Sequence, residues 1–220
     1  MQATIADLYD LEYTIAAPLL VRFTYPWEAL AHIKDFIYEL GASLPADEFD
    51  HPEEGVWIAR DAHVYDSAFI GSPLIVDHEA EVRHCAFLRC PAIVGKGAVV
   101  GNSTELKNVI LFDGVQVPHY NYVGDSILGH RAHLGAGAIT SNLKSDKSLV
   151  TVRDGEERIE TGIKKFGAMV GDDVEVGCNS GLCPGTVIGK GTRVYPLSLV
   201  RGFVGAGLIY KNASEVVAQR

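Results

Sequence analysis

Residues 88–106 read LRCPAIVGKGAVVGNSTEL and repeat with a period of six. Every sixth side chain is aliphatic: Leu88, Val94, Val100 and Leu106. A small residue stands four places after each of the first three: Ala92, Ala98 and Thr104. A period of six fits neither an amphipathic helix nor an alternating strand, whose periods are about 3.6 and 2 residues. It is typical of a hexapeptide-repeat β-helix, in which each hexad forms one short strand and a turn.

The period extends to both sides of this stretch. Before it, the aliphatic positions are Ile58, Val64, Ile70, Val76 and Val82. After it, the spacing slips to five at two places in the series Leu106, Leu111, Val117, Val123, Leu128 and Leu134. The strict period returns at Val170, Val176, Leu182, Ile188, Val194 and Val200. Three hexads predict one triangular coil with the aliphatic side chains inside, so we predict an all-β solenoid. A β-sandwich fits less well, because its strands are spaced less regularly and alternate with period two.

The repeat divides the chain into three parts. We predict an N-terminal helical cap over residues 1–57, a β-helix over 58–202 and a C-terminal tail over 203–220. Residues 25–41 predict a helix whose apolar stripe consists of Trp27, Leu30, Ile33, Ile37 and Leu40. Pro26 suits the first turn of this helix and Gly41 its end. The stripe is expected to pack on the first coils and close their open end; a partner-binding helix is the alternative.

A polar segment over residues 143–165 interrupts the repeat. Asp154-Gly155, between two short β-prone runs, predicts a hairpin. Since such a hairpin has no evident reason to pack on the β-helix wall, we expect it to extend toward a neighbouring subunit or a ligand. The tail from residue 203 is expected to leave the coil as a loop and a short helix.

Composition limits the class of protein. The chain of 220 residues has 19 basic and 28 acidic side chains and a net charge of −9. This charge argues against binding to nucleic acid or to an anionic membrane surface, so a bound phosphate would need a local basic cluster. The N-terminus lacks the features of a signal peptide, and no apolar run approaches the roughly 18 residues of a membrane span. We therefore expect a cytoplasmic protein.

The cysteines form two pairs with the same spacing: Cys85, Cys90, Cys178 and Cys183. Zinc sites more often show Cys-x-x-Cys. We interpret these cysteines as small buried residues rather than metal ligands or disulfide partners, and no metal is expected.

Two stretches carry a resemblance to a known family. LRCPAIVGKGAVVGNSTELKN (88–108) and VPHYNYVGDSILGHRAHLGAGAITSNLKSD (117–146) resemble the C-terminal acetyltransferase domain of bifunctional glucosamine-1-phosphate acetyltransferase/UDP-N-acetylglucosamine pyrophosphorylases. GIKKFGAMVGDDVEVGCNSGLCPGTVIGKGTRVYP (162–196) is similar to archaeal-type sugar-1-phosphate nucleotidylyltransferase/acetyltransferases. The resemblance implies a left-handed β-helix, a homotrimer, acetyl-CoA as cofactor and a sugar phosphate as substrate. The glycine-rich phosphate loop of the nucleotidylyltransferase half does not occur in this sequence, so no pyrophosphorylase activity is expected.

The resemblance also implies roles for individual residues. His119 stands where the family has its general base. Arg89 and Lys107 match the two cations that hold the sugar phosphate, and Tyr122 matches a substrate-binding tyrosine. Asn142 matches an asparagine that contacts the cofactor.

Further matches concern the cofactor, and some of them depart from the family. The backbone N–H of Ala136 is expected to stabilise an oxyanion and to contact acetyl-CoA. Cys178 replaces a cofactor-facing serine, Lys147 is an approximate substitute for loop lysines, and Lys211 is a further candidate cofactor contact. His133 stands where the family has a sugar-contacting asparagine.

These residue types suit acyl transfer to an amine. A neutral imidazole can take a proton from an ammonium near pH 7, and a guanidinium and an ammonium can neutralise a sugar phosphate. The sequence thus predicts an N-acetyltransferase that acts on glucosamine 1-phosphate or galactosamine 1-phosphate. Two alternatives stay open: a noncatalytic sugar-nucleotide-binding or regulatory module, and an O-acetyltransferase for another sugar.

Overall fold

The computed structural model describes residues 2–219 and shows a parallel β-helix with three faces. Val56 pairs with Leu74, and Leu74 pairs in turn with Ala92, so successive partners are separated by three hexads. Three hexads therefore form one coil, and the predicted all-β solenoid of hexapeptide repeats is confirmed.

Each face is a stack of short parallel strands. The first face begins with Phe49–Glu53, antiparallel to its neighbour, and continues with Val56–Ala59, Leu74–Val76, Ala92–Val94, the second halves of Glu105–Leu111 and Tyr122–Leu128, Ala168–Val170, Thr186–Ile188 and Phe203–Val204. The second face contains His63–Val64, Glu81–Val82, Val99–Asn102, Gln116–His119, His133–Leu134, Glu175–Val176, Arg193–Val194, Leu208–Asn212 and the antiparallel Glu215–Ala218. The third face contains Phe69–Ile70, Phe87–Leu88, the first halves of the two long strands, Ile139–Thr140, Gly181–Leu182 and Leu199–Val200.

The periodic aliphatic side chains fill the prism, as predicted. From Val76 to Val200 they are buried. The exceptions lie at the N-terminal end, where Ile58, Val64 and Ile70 are only partly buried because no coil precedes theirs. The aliphatic column thus forms one continuous core along the axis.

The first face differs from the others because its outward side chains are also buried. These side chains are Ile75, Ile93, Ile110, Ile127, Met169 and Val187. Each such burial stabilises the fold by about 1.5–3 kcal/mol relative to exposure. A second layer of the chain therefore covers this face.

That layer is the N-terminal segment. Its helices are Ile5–Leu8, Leu11–Tyr13 (3₁₀), Ala17–Leu20, Pro26–Ala31 (3₁₀) and Ile33–Gly41. The last of them contacts the strands Leu74–Val76, Ala92–Val94 and Glu105–Leu111. Within residues 2–219, no helix is long and apolar enough to cross a membrane.

Two expectations about this segment were wrong. Residues 25–41 do not form a single helix, because a 3₁₀ segment ends at Ala31 and an α-helix starts at Ile33. The apolar stripe does not close the open end, because it packs along the side of the prism on the apolar first face. The stripe residues Trp27 and Ile37 are nevertheless buried, as predicted.

The slips in the period correspond to shortened coils. Glu105 pairs with Tyr122 and Val109 with Ser126, so each pair falls one position short of three full hexads. In these coils one strand runs from the third face around the edge into the first. The edge is turned at Asn108 and Asp125, whose φ angles are 58° and 47°. Asn and Asp tolerate this left-handed region better than most residues.

The hairpin insertion exists but packs on its own molecule. Strands Thr151–Asp154 and Glu157–Glu160 pair antiparallel, which confirms the predicted turn. Val150 and Val152 are fully buried, and the first strand contacts Phe203–Val204. The expectation that the hairpin has no packing role was wrong, because these two valines complete a core beside the last coils.

The C-terminal expectation was also wrong. Residues 203–219 continue the coil through Phe203–Val204 and Leu208–Asn212 and end in the strand Glu215–Ala218. The alternating apolar residues of this segment can add strands to existing sheet edges, so a terminal helix does not form.

The cysteines are only partly in the predicted environment. All four are free thiols; Cys90 is buried and Cys183 half-buried, but Cys85 and Cys178 are exposed. The two exposed cysteines occupy turn positions, where the side chain points away from the prism.

Two successive coils approach each other closely at Gly101. A Cβ at Gly101 would overlap with the carbonyl of Pro118 in the next coil, whereas one at Gly181 would lie 3.4 Å from the nearest side chain, Leu199. We expect Gly101→Ala to lower the free energy of unfolding by about 2 kcal/mol or more, because overpacking forces the backbone to shift. Urea unfolding measures this, with Gly181→Ala as control. Equal effects of the two substitutions would contradict the expectation.

Candidate active site

His119 lies where the chain turns from the second face to the third. Its side chain is exposed, while its backbone N–H donates to Oδ1 of Asn121 at 3.1 Å. Its carbonyl accepts from the N–H of Gly137 in the next coil at 3.0 Å. His119, Ala136 and Cys178 occupy equivalent positions in successive coils, and we call this column the His119 edge.

Asn121 anchors this edge. The side chain is 2% exposed, and its Nδ2 donates to the carbonyls of Gly135 at 2.9 Å and Ala138 at 3.0 Å. One buried amide thus connects the backbone of His119 to the coil that carries Ala136. The sequence analysis did not predict this role for Asn121. Its position two residues before the core residue Val123 could have indicated that the amide is buried.

The backbone of Ala136 leaves a donor available. Its carbonyl accepts from the N–H of Asn179 at 2.9 Å, but its own N–H donates no hydrogen bond within residues 2–219. Ala136 is half-buried and follows the stretch that Asn121 holds. The His119 edge therefore presents an exposed imidazole and an unpaired N–H in adjacent coils, which suits a base and an oxyanion donor.

A second group of polar side chains lies at the turn from the third face to the first. At its centre Asp125 is 3% exposed. Both carboxylate oxygens accept from Nζ of Lys107, at 2.9 and 3.0 Å. Nδ2 of Asn108 donates to the same carboxylate at 2.9 Å, and Nδ2 of Asn142 does so as well. We call these residues, with Arg89, Glu105 and Tyr122, the Asp125 cluster.

Tyr122 and Arg89 form the outer part of the cluster. Nδ2 of Asn142 donates to the Tyr122 hydroxyl at 3.2 Å. Burial raises the pKa of Tyr122, and the Glu105 and Asp125 carboxylates add to the shift, so the phenol stays protonated near neutral pH. Nη1 of Arg89 donates to Glu105 at 3.2 Å, and 56% of the Arg89 side chain is exposed. Arg89 is therefore the cation of the cluster most available to a ligand, while the charge of Lys107 is balanced by a buried partner.

The structure thus brings together part of the predicted site. Arg89, Lys107, Tyr122 and Asn142 share the Asp125 cluster, and His119, Ala136 and Cys178 share the other edge. Within one chain the two groups lie on opposite sides of the third face. Asp125 follows His119 by six residues, which span up to about 20 Å when extended.

The remaining predicted residues lie elsewhere. His133 is on the second face, where Nδ1 lies 2.8 Å from Glu175. Lys147 is exposed on the insertion, and Lys211 is paired with Glu215 in the last coil. Within residues 2–219, none of these three side chains hydrogen-bonds to a member of either group.

Sequence reasoning missed the acidic members of the cluster. Asp125 closes the motif that contains His119, and Glu105 pairs with Tyr122 in the adjacent coil on the third face. Counting three hexads from Lys107 would have found Asp125, whereas the same count from Arg89 leads to Lys107 and gives no signal for Glu105.

Within residues 2–219, no three His, Cys, Asp or Glu side chains are arranged to hold a metal ion.

Comparisons with known proteins identify relatives of this chain. Residues 70–176 match the family described as the GMPPB C-terminal domain. A bifunctional sugar-1-phosphate nucleotidylyltransferase/acetyltransferase from Sulfurisphaera tokodaii is 33% identical over 71% of this chain and 39% of its own length. The bifunctional protein GlmU from Methanococcus vannielii is 32% identical over 61% of this chain and 33% of its own length. The predicted relationship to these bifunctional proteins is confirmed, and this chain spans less than half of their length.

Solved structures show weaker likeness. The acetyltransferase domain of PglB from Neisseria gonorrhoeae, solved with acetyl coenzyme A, has a TM-score of 0.34 and 18% identity, over 85% of this chain and 67% of that one. An acetyltransferase from Bacillus cereus has a TM-score of 0.43 and 17% identity, over 74% of this chain and 77% of that one.

The Lys107–Asp125 pair is expected to stabilise the fold. Lys107→Met leaves a buried carboxylate without its cation, so we expect a loss of about 2–3 kcal/mol in the free energy of unfolding. The control is Lys96→Met, which breaks an exposed pair with Glu79 and should cost less than about 1 kcal/mol. Urea unfolding at neutral pH compares the two variants; a Lys107→Met protein as stable as the control would show that the pair contributes little.

Proposed function

We propose that this chain is an acetyl-CoA-dependent N-acetyltransferase acting on a hexosamine 1-phosphate, with His119 as general base. The observation that carries the proposal is the exposed imidazole of His119 next to the coil that presents the unpaired N–H of Ala136. The relationship to bifunctional nucleotidylyltransferase/acetyltransferases supports acyl transfer to a sugar.

The reaction needs few groups from the protein. The amino sugar reacts as the neutral amine: its nitrogen attacks the carbonyl carbon of the thioester, and the His119 imidazole takes one proton from that nitrogen. The C–N bond forms as the oxyanion accepts a hydrogen bond from the N–H of Ala136. When the oxyanion collapses, the C–S bond breaks, and the imidazolium returns its proton to the leaving thiolate. The products are an amide and a free thiol.

The Asp125 cluster supplies the phosphate site. Arg89 can exchange its exposed bond to Glu105 for a bidentate contact to a phosphate. Tyr122 keeps its proton and can donate it to the same phosphate. Lys107 contributes one remaining N–H and, through Asp125, holds Asn142 in place.

The His119 edge and the Asp125 cluster lie on opposite borders of the third face, and we propose that a homotrimer brings them together between neighbouring copies. The outward column of the third face exposes Phe69, Phe87, Ile139 and Leu199, and the polar pair Glu105 and Tyr122 lies between Phe87 and Ile139 in the same column. If this face points to a threefold axis, the His119 edge of one copy meets the Asp125 cluster of the next. Such heterologous contacts close after three copies.

An acceptor panel tests the reaction. Purified protein is mixed with acetyl-CoA and amino-sugar 1-phosphates, free amino sugars or sugars with only hydroxyl groups, and thiol release is followed. We expect turnover with an amino-sugar 1-phosphate and a loss of about 10²–10⁴-fold in His119→Ala, because the general base is removed.

The matched control is His63→Ala, which removes an exposed histidine from the second face and should keep full activity. Release only with hydroxyl acceptors would favour an O-acetyltransferase. No release with any acceptor would favour a noncatalytic binding module and refute the proposal.

Mixed trimers test the shared site. His119→Ala and Arg89→Ala are each expected to be inactive, but some interfaces in trimers formed from both chains contain an intact His119 and an intact Arg89. After unfolding and refolding an equal mixture, random assembly should restore about a quarter of wild-type activity. A site built within one chain would give no recovery, and light scattering would detect a monomer directly.

A further inference from the structure

A second cleft lies between the insertion hairpin and the turn from the third face to the first. It has a volume of ≈ 770 Å³ and is lined by Arg153 of the hairpin, Cys183, Arg201 and Phe203 of the last coils, and Lys144. Ser141 on its rim directly precedes Asn142, so the cleft adjoins the Asp125 cluster. A cleft of this size suits a ligand of nucleotide dimensions.

The walls of the cleft are fixed by packing. A Cβ on Gly185 would lie 2.6 Å from Val150, and one on Gly202 would overlap with the carbonyl of Arg153. Val150 and Val152, at the base of the hairpin, are fully buried. The hairpin is therefore held against the coils, and the cleft exists before any ligand arrives.

The two arginines of the cleft differ from most others in the chain. Arg83, Arg89, Arg131 and Arg158 each pair with a carboxylate. Within the described residues 2–219, the guanidinium groups of Arg153 and Arg201 have neither an ion pair nor a hydrogen bond. In a protein with a net charge of −9, two unpaired guanidinium groups facing one preformed cleft indicate an anionic ligand.

The other side chains of the cleft further define the kind of ligand that it fits. Nζ of Lys144 donates to Ser148 at 2.6 Å, which fixes a third cation at the rim. Asp146 also lines the cleft, but it accepts from the backbone and side chain of Ser148, and these bonds lower its pKa. Asp154, which follows Arg153 on the hairpin, also lines the cleft and leaves the named side chains with a net charge of +1. The half-buried ring of Phe203 offers an apolar surface beside the cations.

We propose that this cleft binds the diphosphate of a nucleotide, with Arg153 and Arg201 on the phosphates and the base against Phe203. Guanidinium groups bind phosphates through paired hydrogen bonds, and aromatic rings stack on bases. The nucleotide can come from an acyl coenzyme, a source that rests on the proposed function, or from a nucleotide-linked sugar. Within one chain the cleft is separate from the His119 edge, and nucleotide diphosphates carry no acyl group, so binding there can be measured without transfer chemistry.

Calorimetry with the intact chain tests the inference. The probes are ADP, UDP, pyrophosphate, coenzyme A and UDP-N-acetylglucosamine, titrated into wild type, Arg153→Gln and Arg201→Gln. Each substitution should weaken nucleoside diphosphate binding by about ten-fold or more, because one charge-assisted contact is lost. Arg193→Gln is the matched control, since Arg193 is an exposed arginine of the second face, and it should bind like wild type.

The titrations with coenzyme A and with UDP-N-acetylglucosamine distinguish the two sources of the nucleotide. A ten-fold loss for coenzyme A assigns the cleft to the coenzyme, and a ten-fold loss for UDP-N-acetylglucosamine assigns it to a nucleotide sugar; either result supports the inference. Unchanged affinity in both arginine variants, or no binding of any probe to wild type, overturns it. A failure of the proposed reaction is a separate result, because His119→Ala should bind ADP like wild type whether or not transfer occurs.

Discussion

Pairing between successive coils is the constraint from which the rest of this molecule follows. Each hexad supplies one strand to a stack, and one aliphatic side chain, such as Val100 or Leu106, to a continuous interior. Because strands pair at a separation of one coil, residues far apart in sequence become neighbours in a column along an edge. His119 and Ala136 meet in this way, as do Lys107 and Asp125. A small polar group can then be assembled from one side chain per coil without any long loop.

The three faces of the prism have different neighbours, and composition explains why. The outward residues of the first face are apolar and are covered by the N-terminal helices, which contribute Trp27 and Ile37 to the contact. Outward residues of the second face include His133 and Glu175, which remain in contact with water. In the described part of the chain, the third face exposes apolar side chains without a covering layer, and both candidate half-sites lie along its borders.

Much of the fold could be predicted from the sequence, because a six-residue period allows few structures. The two slips were visible in the sequence as spacings of five. Only the structure shows that at each slip a strand continues around an edge, at Asn108 and at Asp125. The site was predictable in part. Arg89 and Lys107 are one coil apart and share an edge, whereas the separation of His119 from Arg89 is not a whole number of coils. The residue numbers alone therefore predict that Arg89 and His119 lie on different edges. The buried hydrogen-bond partners of Lys107 could not be predicted, because they depend on side-chain packing that the period does not specify.

Both ends of the solenoid carry a strand that runs against the direction of the coils. Phe49–Glu53 reverses beside the first coil, and Glu215–Ala218 reverses beside the last. A parallel stack with bare ends could add further copies indefinitely and grow into fibres. Each reversed strand occupies one sheet edge to which an added coil would otherwise pair, and it interrupts the parallel arrangement of the stack there. At each end of the described solenoid, one sheet edge is thus covered by the chain itself and is removed from pairing with another molecule.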